Sequence, residues 1–236
     1  MSKEQMLLKI RRRLKASKDD RTRIAAVDSR MSAAKVNTVP QRAKLNYNEA
    51  INDFEKRIVS ARATVSKVTS HKEIVDEIYR YLDHSLEKGS GNYQDKHLSN
   101  SEVCLNEEVR QLGLDFSSVP ELNVVTWHPK VSLTTSITMA FSAVAESGSI
   151  VIRSSQGNGI SQNFLGDTHI VLLRSSDIVG SFEDIWKRVR EEGSMPRDLT
   201  LVSGPSCTGD IEMVMEYGAH GPKQLHIIIF SDDIEH

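Results

Sequence analysis

Five short apolar runs set the terms for this fold: Val124-Val125, SIVIRS from Ser149, HIVLLR from His169, LTLVSG from Leu199 and LHIIIF from Leu225. Continuous runs of this length, rich in branched side chains, read as strands buried on both faces. Segments with helical spacing stand near 132–146, 182–192 and 208–217. Strands alternating with helices imply an α/β body: a mixed, mostly parallel sheet between helix layers.

The runs all lie in the second half of the chain, and what precedes them differs in kind. Residues 1–23 carry nine Lys or Arg against three acidic residues, although the whole chain of 236 residues has a net charge of -2. Leu7, Ile10 and Leu14 recur at three- and four-residue spacing, which predicts an amphipathic helix with Arg11, Arg12 and Arg13 solvated. Such a helix packs on its own body or on a partner; the alternative is a membrane or RNA surface. The stretch from Lys15 to Arg42 is polar and weakly periodic and reads as a linker. The expected division is a basic helical arm with linker over 1–45 and an α/β domain over 46–236. The domain opens with two helices. One spans about 46–68 through Ala50, Ile51, Phe54, Ile58, Ala61 and Val65, and the other runs from Ile74 through Ile78, Tyr79 and Leu82 to Gly89-Ser90-Gly91.

Composition then excludes several classes. The slightly acidic balance argues against a nucleic-acid partner. No run of 18 apolar residues occurs, so no membrane span is expected. The start, MSKEQMLLKIRRRLK, lacks the apolar core of a secretory signal. Cys104 and Cys207 cannot build a disulfide framework, and no metal-ligand cluster is apparent. A reducing, cytoplasmic setting is expected.

In open α/β sheets ligands collect where strands hand over to helices, and three loops qualify. The first, Ser203-Gly204-Pro205-Ser206-Cys207-Thr208-Gly209-Asp210, reads as a strand-to-helix turn. Unpaired amides at a helix start, close backbone approach at Gly204 and Gly209, and the hydroxyls of Ser203, Ser206 and Thr208 suit a small anionic ligand. The same residues serve equally to cap a helix, with Asp210 complementing its dipole. The second loop, Ala145–Ser149, reads as a helix end, with Gly148 as a left-handed cap and Glu146 facing a cleft or solvent. In the third, Gly166–His169, Asp167 and His169 read as an acid–base or metal pair, and without a second cluster of ligands nearby in sequence a metal site is not expected. His220 lies in a glycine-proline turn. Glu146, Asp167 and His169 are thus the catalytic candidates, and no metal ligand set is proposed.

The string SGPSCTGDIEMVMEYGAHGPKQLHIIIF resembles the C-terminal signature of the LUD-domain family, in particular the lactate-utilisation protein C (LutC/YkgG) group. The matching elements are Ser203–Ser206, Thr208, Gly209, Asp210 to Glu212, Gly218–Pro222 and the apolar last strand. AVAESGSIVIRSS and LGDTHIVLL resemble two further family segments. Ser147 and Ser149 stand where threonine is usual, Gly166-Asp167 replaces a proline-rich approach, and Cys207 stands where arginine is more frequent. The resemblance implies a fold like the NagB/RpiA/CoA transferase-like proteins. It also implies a role in oxidising L-lactate to pyruvate beside partner proteins that carry the iron–sulfur clusters. A ligand site would include Ser203, Gly204, Ser206, Thr208, Gly209, Asp210, Glu212 and His220. Two cysteines about a hundred residues apart cannot ligate a cluster, so this chain is expected to bind no cofactor. The alternative is a stand-alone enzyme or ligand-binding protein acting on an anionic metabolite.

Overall fold

The computed structural model describes residues 2–15, 17, 20–32, 37–87, 101–126, 134–155, 159–193, 195–209 and 215–235. The chain divides into two compact units, Met1–Thr38 and Val39–His236. The first contains α1 (Lys3–Arg13), where Ser2 and Gln5 form a reciprocal capping box, and α2 (Arg21–Ser32). The helix α2 occupies the stretch read from sequence as a linker; its first turn is tied by Asp20, whose carboxylate accepts from the Arg23 amide at 3.1 Å.

The second unit begins with α3 (Tyr47–Ser60), β1 (Thr64–Ser70) and α4 (His71–Glu87), followed by β2 (Ser101–Leu105), α5 (Glu107–Arg110) and β3 (Leu122–Val125). Then come β4 (Thr135–Met139), β5 (Ser142–Val144), β6 (Ser149–Arg153), α6 (Gln162–Leu165), β7 (Thr168–Arg174) and β8 (Ile178–Val179). The chain continues through α7 (Phe182–Glu191), β9 (Leu199–Val202), β10 (Cys207–Gly209), β11 (Met215–Tyr217) and β12 (Gln224–Glu235). Six strands form one sheet in the order β1-β12-β7-β4-β2-β3, every pair parallel. A second sheet runs β8-β5-β6-β9, mostly antiparallel, and β10 pairs with β11 as an antiparallel hairpin.

Alternation along the adjoining strands β7 and β12 builds the core. Ile170, Leu172, Ile228 and Phe230 pack with Ile74, Val75, Ile78 and Leu82 of α4. Their neighbours Val171, Leu173, Ile227 and Ile229 pack on the opposite face with Phe54 and Ile58 of α3 and Ile150 and Ile152 of the second sheet. Side chains on a strand point alternately to the two faces, so two apolar faces require an unbroken apolar run. The second sheet is closed on its far side by Ile185 and Val189 of α7, which meet Val144 and Val151. The α/β architecture with a mostly parallel sheet is the one expected.

Three local expectations are corrected. The helix expected over 132–146 is the strand pair β4 and β5; Thr135, Ile137 and Thr138 are β-branched residues that favour a pleated, buried surface. The helix expected over 208–217 is absent at both described ends, where Cys207 pairs with Tyr217 and Gly209 with Met215; residues 210–214 lie outside the described residues. The first body helix stops at Ser60, because Arg62 turns the chain at φ +70° and delivers Val65 into β1. At the unit's start, residues 39–45 carry buried Ala43, whose carbonyl lies 2.0 Å from where a Cβ on Gly180 would stand.

Candidate functional site

A cavity of about 650 Å³ opens where β1 and β12 begin, beneath the C-terminal half of α4. It is lined by Arg62, Thr64 and Ser66, by Glu77, Arg80, Tyr81 and His84 from α4, and by Lys223, Gln224 and His226. The expected ligand position was the carboxyl ends of the strands. A smaller recess of about 320 Å³ does lie there, lined among others by Val68, Ile229 and Phe230. The larger and more cationic space is at the amino ends, because the turn at Arg62 and the approach to β12 both place cations there.

At the cavity's inner wall the even-numbered residues of β12 face α4, and this puts His226, only 2% exposed, among polar groups. Its Nδ1 lies 2.8 Å from Thr64 Oγ1, and its ring stacks on Tyr81 with centroids 4.1 Å apart and planes at 9°. Its Nε2 lies 3.2 Å from Glu77 Oε1. That distance suits an ion pair, but the pair is not aligned as a hydrogen bond and Nε2 has no other partner. The Glu77 carboxylate accepts two hydrogen bonds from Arg80, through Nε and Nη2, both 2.7 Å, and one from Ser66 Oγ. Burial raises the Glu77 pKa, but hydrogen bonds from Arg80 and Ser66 and the charge of Arg80 outweigh it and hold the group below its ordinary value. Burial pushes His226 down to about 4 against the opposing pull of Glu77, so at neutral pH an uncharged imidazole faces a carboxylate. Burial also raises the Tyr81 phenol.

The C-terminal string reaches this cavity by its rim. The Arg62 guanidinium covers the Tyr217 ring at 4.5 Å to the centroid. Lys223 pairs with Asp167 (Nζ to Oδ1, 3.1 Å), and the Asp167 carbonyl accepts from the Lys223 and Gln224 amides. Gly204, at φ +137°, presses on Ala61, where a Cβ would come within 2.6 Å of the Ala61 carbonyl oxygen. The Ser206 amide donates to Pro222 O at 2.8 Å and Ser206 O accepts from Gly218 at 2.9 Å, which folds the string back on itself.

The sequence candidates disperse. Asp167 and His169 are not a pair: Asp167 is exposed and engaged by Lys223, whereas His169 is buried with Nε2 2.8 Å from Thr138 Oγ1. The Glu146 carboxylate accepts the Phe182 amide at 3.1 Å and fastens the start of α7. Gly148 is left-handed at φ +64°, as expected, but it turns the β5–β6 hairpin instead of ending a helix. Its missing Cβ would stand 2.5 Å from Arg57 Cβ. Ser203 does meet the second loop, through a hydroxyl chain in which Ser203 Oγ lies 2.6 Å from Ser149 Oγ and Ser149 Oγ lies 2.8 Å from Ser147 Oγ. Thr208 and Gly209 sit in β10, in extended backbone and not in the first turn of a helix. His220 is exposed, and Asp210 and Glu212 lie outside the described residues.

Thr64, Glu77, Arg80, Tyr81 and His226 were not singled out from sequence, though two signals were present. Glu77 interrupts the apolar stripe of α4 with Arg80 three and Tyr81 four residues on, the spacing at which helix side chains meet. A histidine inside LHIIIF must find a polar partner in the core. Among the described residues no helix is long and apolar enough to cross a membrane, and no group of three or more His, Cys, Asp or Glu is placed to hold a metal ion.

A family model described as LUD domain matches residues 51–230. Lactate utilization protein C of Shouchella clausii (strain KSM-K16) is 33% identical over 99 residues, 41% of this chain and 43% of that protein. The uncharacterized protein YkgG of Escherichia coli (strain K12) is 26% identical over 152 residues, 58% and 66% of the two chains. The matches thus span under half of the first relative and just under two thirds of the second. A crystal structure of a DUF162 family protein from Deinococcus radiodurans has a TM-score of 0.52 at 22% identity, covering 79% of this chain and 99% of that one. At that identity the likeness concerns the fold.

Proposed function

Because the chain belongs to the LUD-domain family, we propose that it is a cytoplasmic subunit of an L-lactate utilisation system. It acts beside iron–sulfur partner proteins in oxidising L-lactate to pyruvate and holds a small anionic ligand in the cavity under α4. The observation that carries this reading is the similarity to proteins named lactate utilization protein C. The cavity supports the ligand part. Arg62, Arg80 and Lys223 line it; Glu77 engages Arg80 and Asp167 engages Lys223, which leaves the Arg62 guanidinium as the net positive charge that favours an anion there. With Cys104 buried and Cys207 exposed, the two thiols offer no cluster ligation between them, so electrons travel on other chains.

A volume near 650 Å³ exceeds what lactate alone fills and lies in the range of sites for larger organic ligands. The ligand is therefore a carboxylate- or phosphate-bearing metabolite, of which lactate is the smallest candidate. The deciding assay is lactate-dependent reduction of an electron acceptor by the partner proteins, with and without this chain. Reduction that needs the chain supports the reading; equal rates in both mixtures refute it.

A further inference from the structure

We propose that Thr64, His226 and Glu77 form a hydroxyl–imidazole–carboxylate relay in which Thr64 is a nucleophile toward small anionic carboxylic esters held in the same cavity. The geometry is that of nucleophile, base and orienting acid in series. Thr64 Oγ1 stands 2.8 Å from His226 Nδ1, and on the other side of the ring Glu77 Oε1 stands 3.2 Å from Nε2. A carboxylate beside Nε2 favours the tautomer with its proton there, which leaves Nδ1 to accept from the threonine hydroxyl. Tyr81 stacked on the ring fixes its plane, and the bidentate Arg80 fixes Glu77. Nε2 is buried, and Glu77 Oε1 at 3.2 Å is the acceptor set beside it. Thr64 itself is exposed and lines the cavity beside Arg62 and Lys223, so a substrate carrying an anionic group some atoms from its ester would place the carbonyl near Oγ1.

The chemistry closes with water as the only co-reactant. Thr64 Oγ adds to the ester carbonyl carbon while its proton passes to His226 Nδ1, and Glu77 stabilises the imidazolium. Collapse breaks the bond to the leaving alkoxide, which takes that proton. Water then attacks the threonine ester by the same route, releasing the carboxylate and restoring the hydroxyl.

The test uses the full chain and the monoanionic probe p-nitrophenyl succinate, with p-nitrophenyl acetate as neutral control. The expected result is a burst of nitrophenolate and a succinyl group mapped by mass spectrometry to the peptide holding Thr64. Thr64→Val, isosteric at an exposed strand start, abolishes both, and Thr64→Ser retains them. His226→Gln lowers the burst rate about a hundredfold. Arg62→Ala slows reaction with the succinate more than with the acetate. No adduct on the wild-type chain, an adduct on a lysine instead, or a burst that survives Thr64→Val overturns the relay.

Discussion

Two histidines on adjacent strands make an instructive pair. His169 on β7 and His226 on β12 lie one register step apart, since Leu225 pairs with His169 and His226 with Ile170. Both are almost fully buried and both are uncharged at neutral pH, burial pushing His169 down to about 3 and His226 to about 4. They point to opposite faces. His169 faces the interior between the two sheets, where Thr138 provides its hydrogen bond. His226 faces α4, where a carboxylate, a hydroxyl, an aromatic ring and a cavity meet it. Burial alone makes a histidine inert; chemistry requires a charge on one side and an opening on the other.

The comparison can be broken first by thiol labelling. Cys104 shares the lateral row of His169, through Cys104 to Ser136 and Ser136 to His169, whereas Cys207 is exposed at the start of β10. Burial raises the Cys104 thiol pKa, and the Gln162 amide covers its sulfur at 3.4 Å. Brief iodoacetamide treatment at neutral pH should therefore label Cys207 at least about a hundredfold faster, because Cys104 reacts only after local opening. Comparable labelling would mean that the His169 face is open.

Truncation comes next. His169→Ala should cost about 3 kcal/mol in urea unfolding, since it leaves a closed void and an unpartnered Thr138 hydroxyl. His226→Ala should cost about half as much, because water from the cavity can occupy the space. Equal losses would remove the distinction between a closed and an open face.

Acid sharpens it further. A histidine whose folded pKa lies below its unfolded value near 6.5 contributes stability that is complete above 6.5. That contribution is lost as pH falls toward the folded values of about 3 and about 4. Each such group gives a slope of up to about 1.4 kcal/mol per pH unit in that window. Carboxylates titrate in the same range, so the informative quantity is a difference: His169→Gln should flatten the pH dependence of urea midpoints between pH 6 and 4 by about one such slope. An unaltered profile would show that His169 is not the buried neutral group described.

The smallest effect concerns Arg80. Its side chain is 59% exposed, so the screened pair with Glu77 contributes modestly. Arg80→Met should lower stability by about 1 kcal/mol, by removing two donors from a buried carboxylate, and should raise the Glu77 pKa, measured by carboxyl NMR titration. An unshifted Glu77 would place its stabilisation in the Ser66 hydroxyl instead.

These two faces also show how far the chain could be read in advance. β6, β7, β9 and β12 were legible as apolar runs, and α3, α4 and α7 as amphipathic stripes, because burial on one or both faces writes itself into local spacing. Family membership was legible in the C-terminal string. The site was not. In Asp167-Thr168-His169 an acid and an imidazole stand two residues apart, yet the Lys223 ammonium takes one and the core takes the other. The buried hydroxyls of β4 and the hairpin of β10 and β11 were read as helix, because strand pairing is non-local and leaves little trace in a short polar segment.

What the sequence by itself determined is the α/β class, the two-faced core of the central strands and the cationic character of the first 23 residues, all consequences of composition and period. Which imidazole meets a carboxylate was decided only by the tertiary structure. Thr64 and His226 are 162 residues apart in the chain, and parallel pairing of the first strand of the sheet with its last brings them together. Contacts of that kind arise from register between distant strands, a property of the assembled sheet that no local spacing encodes.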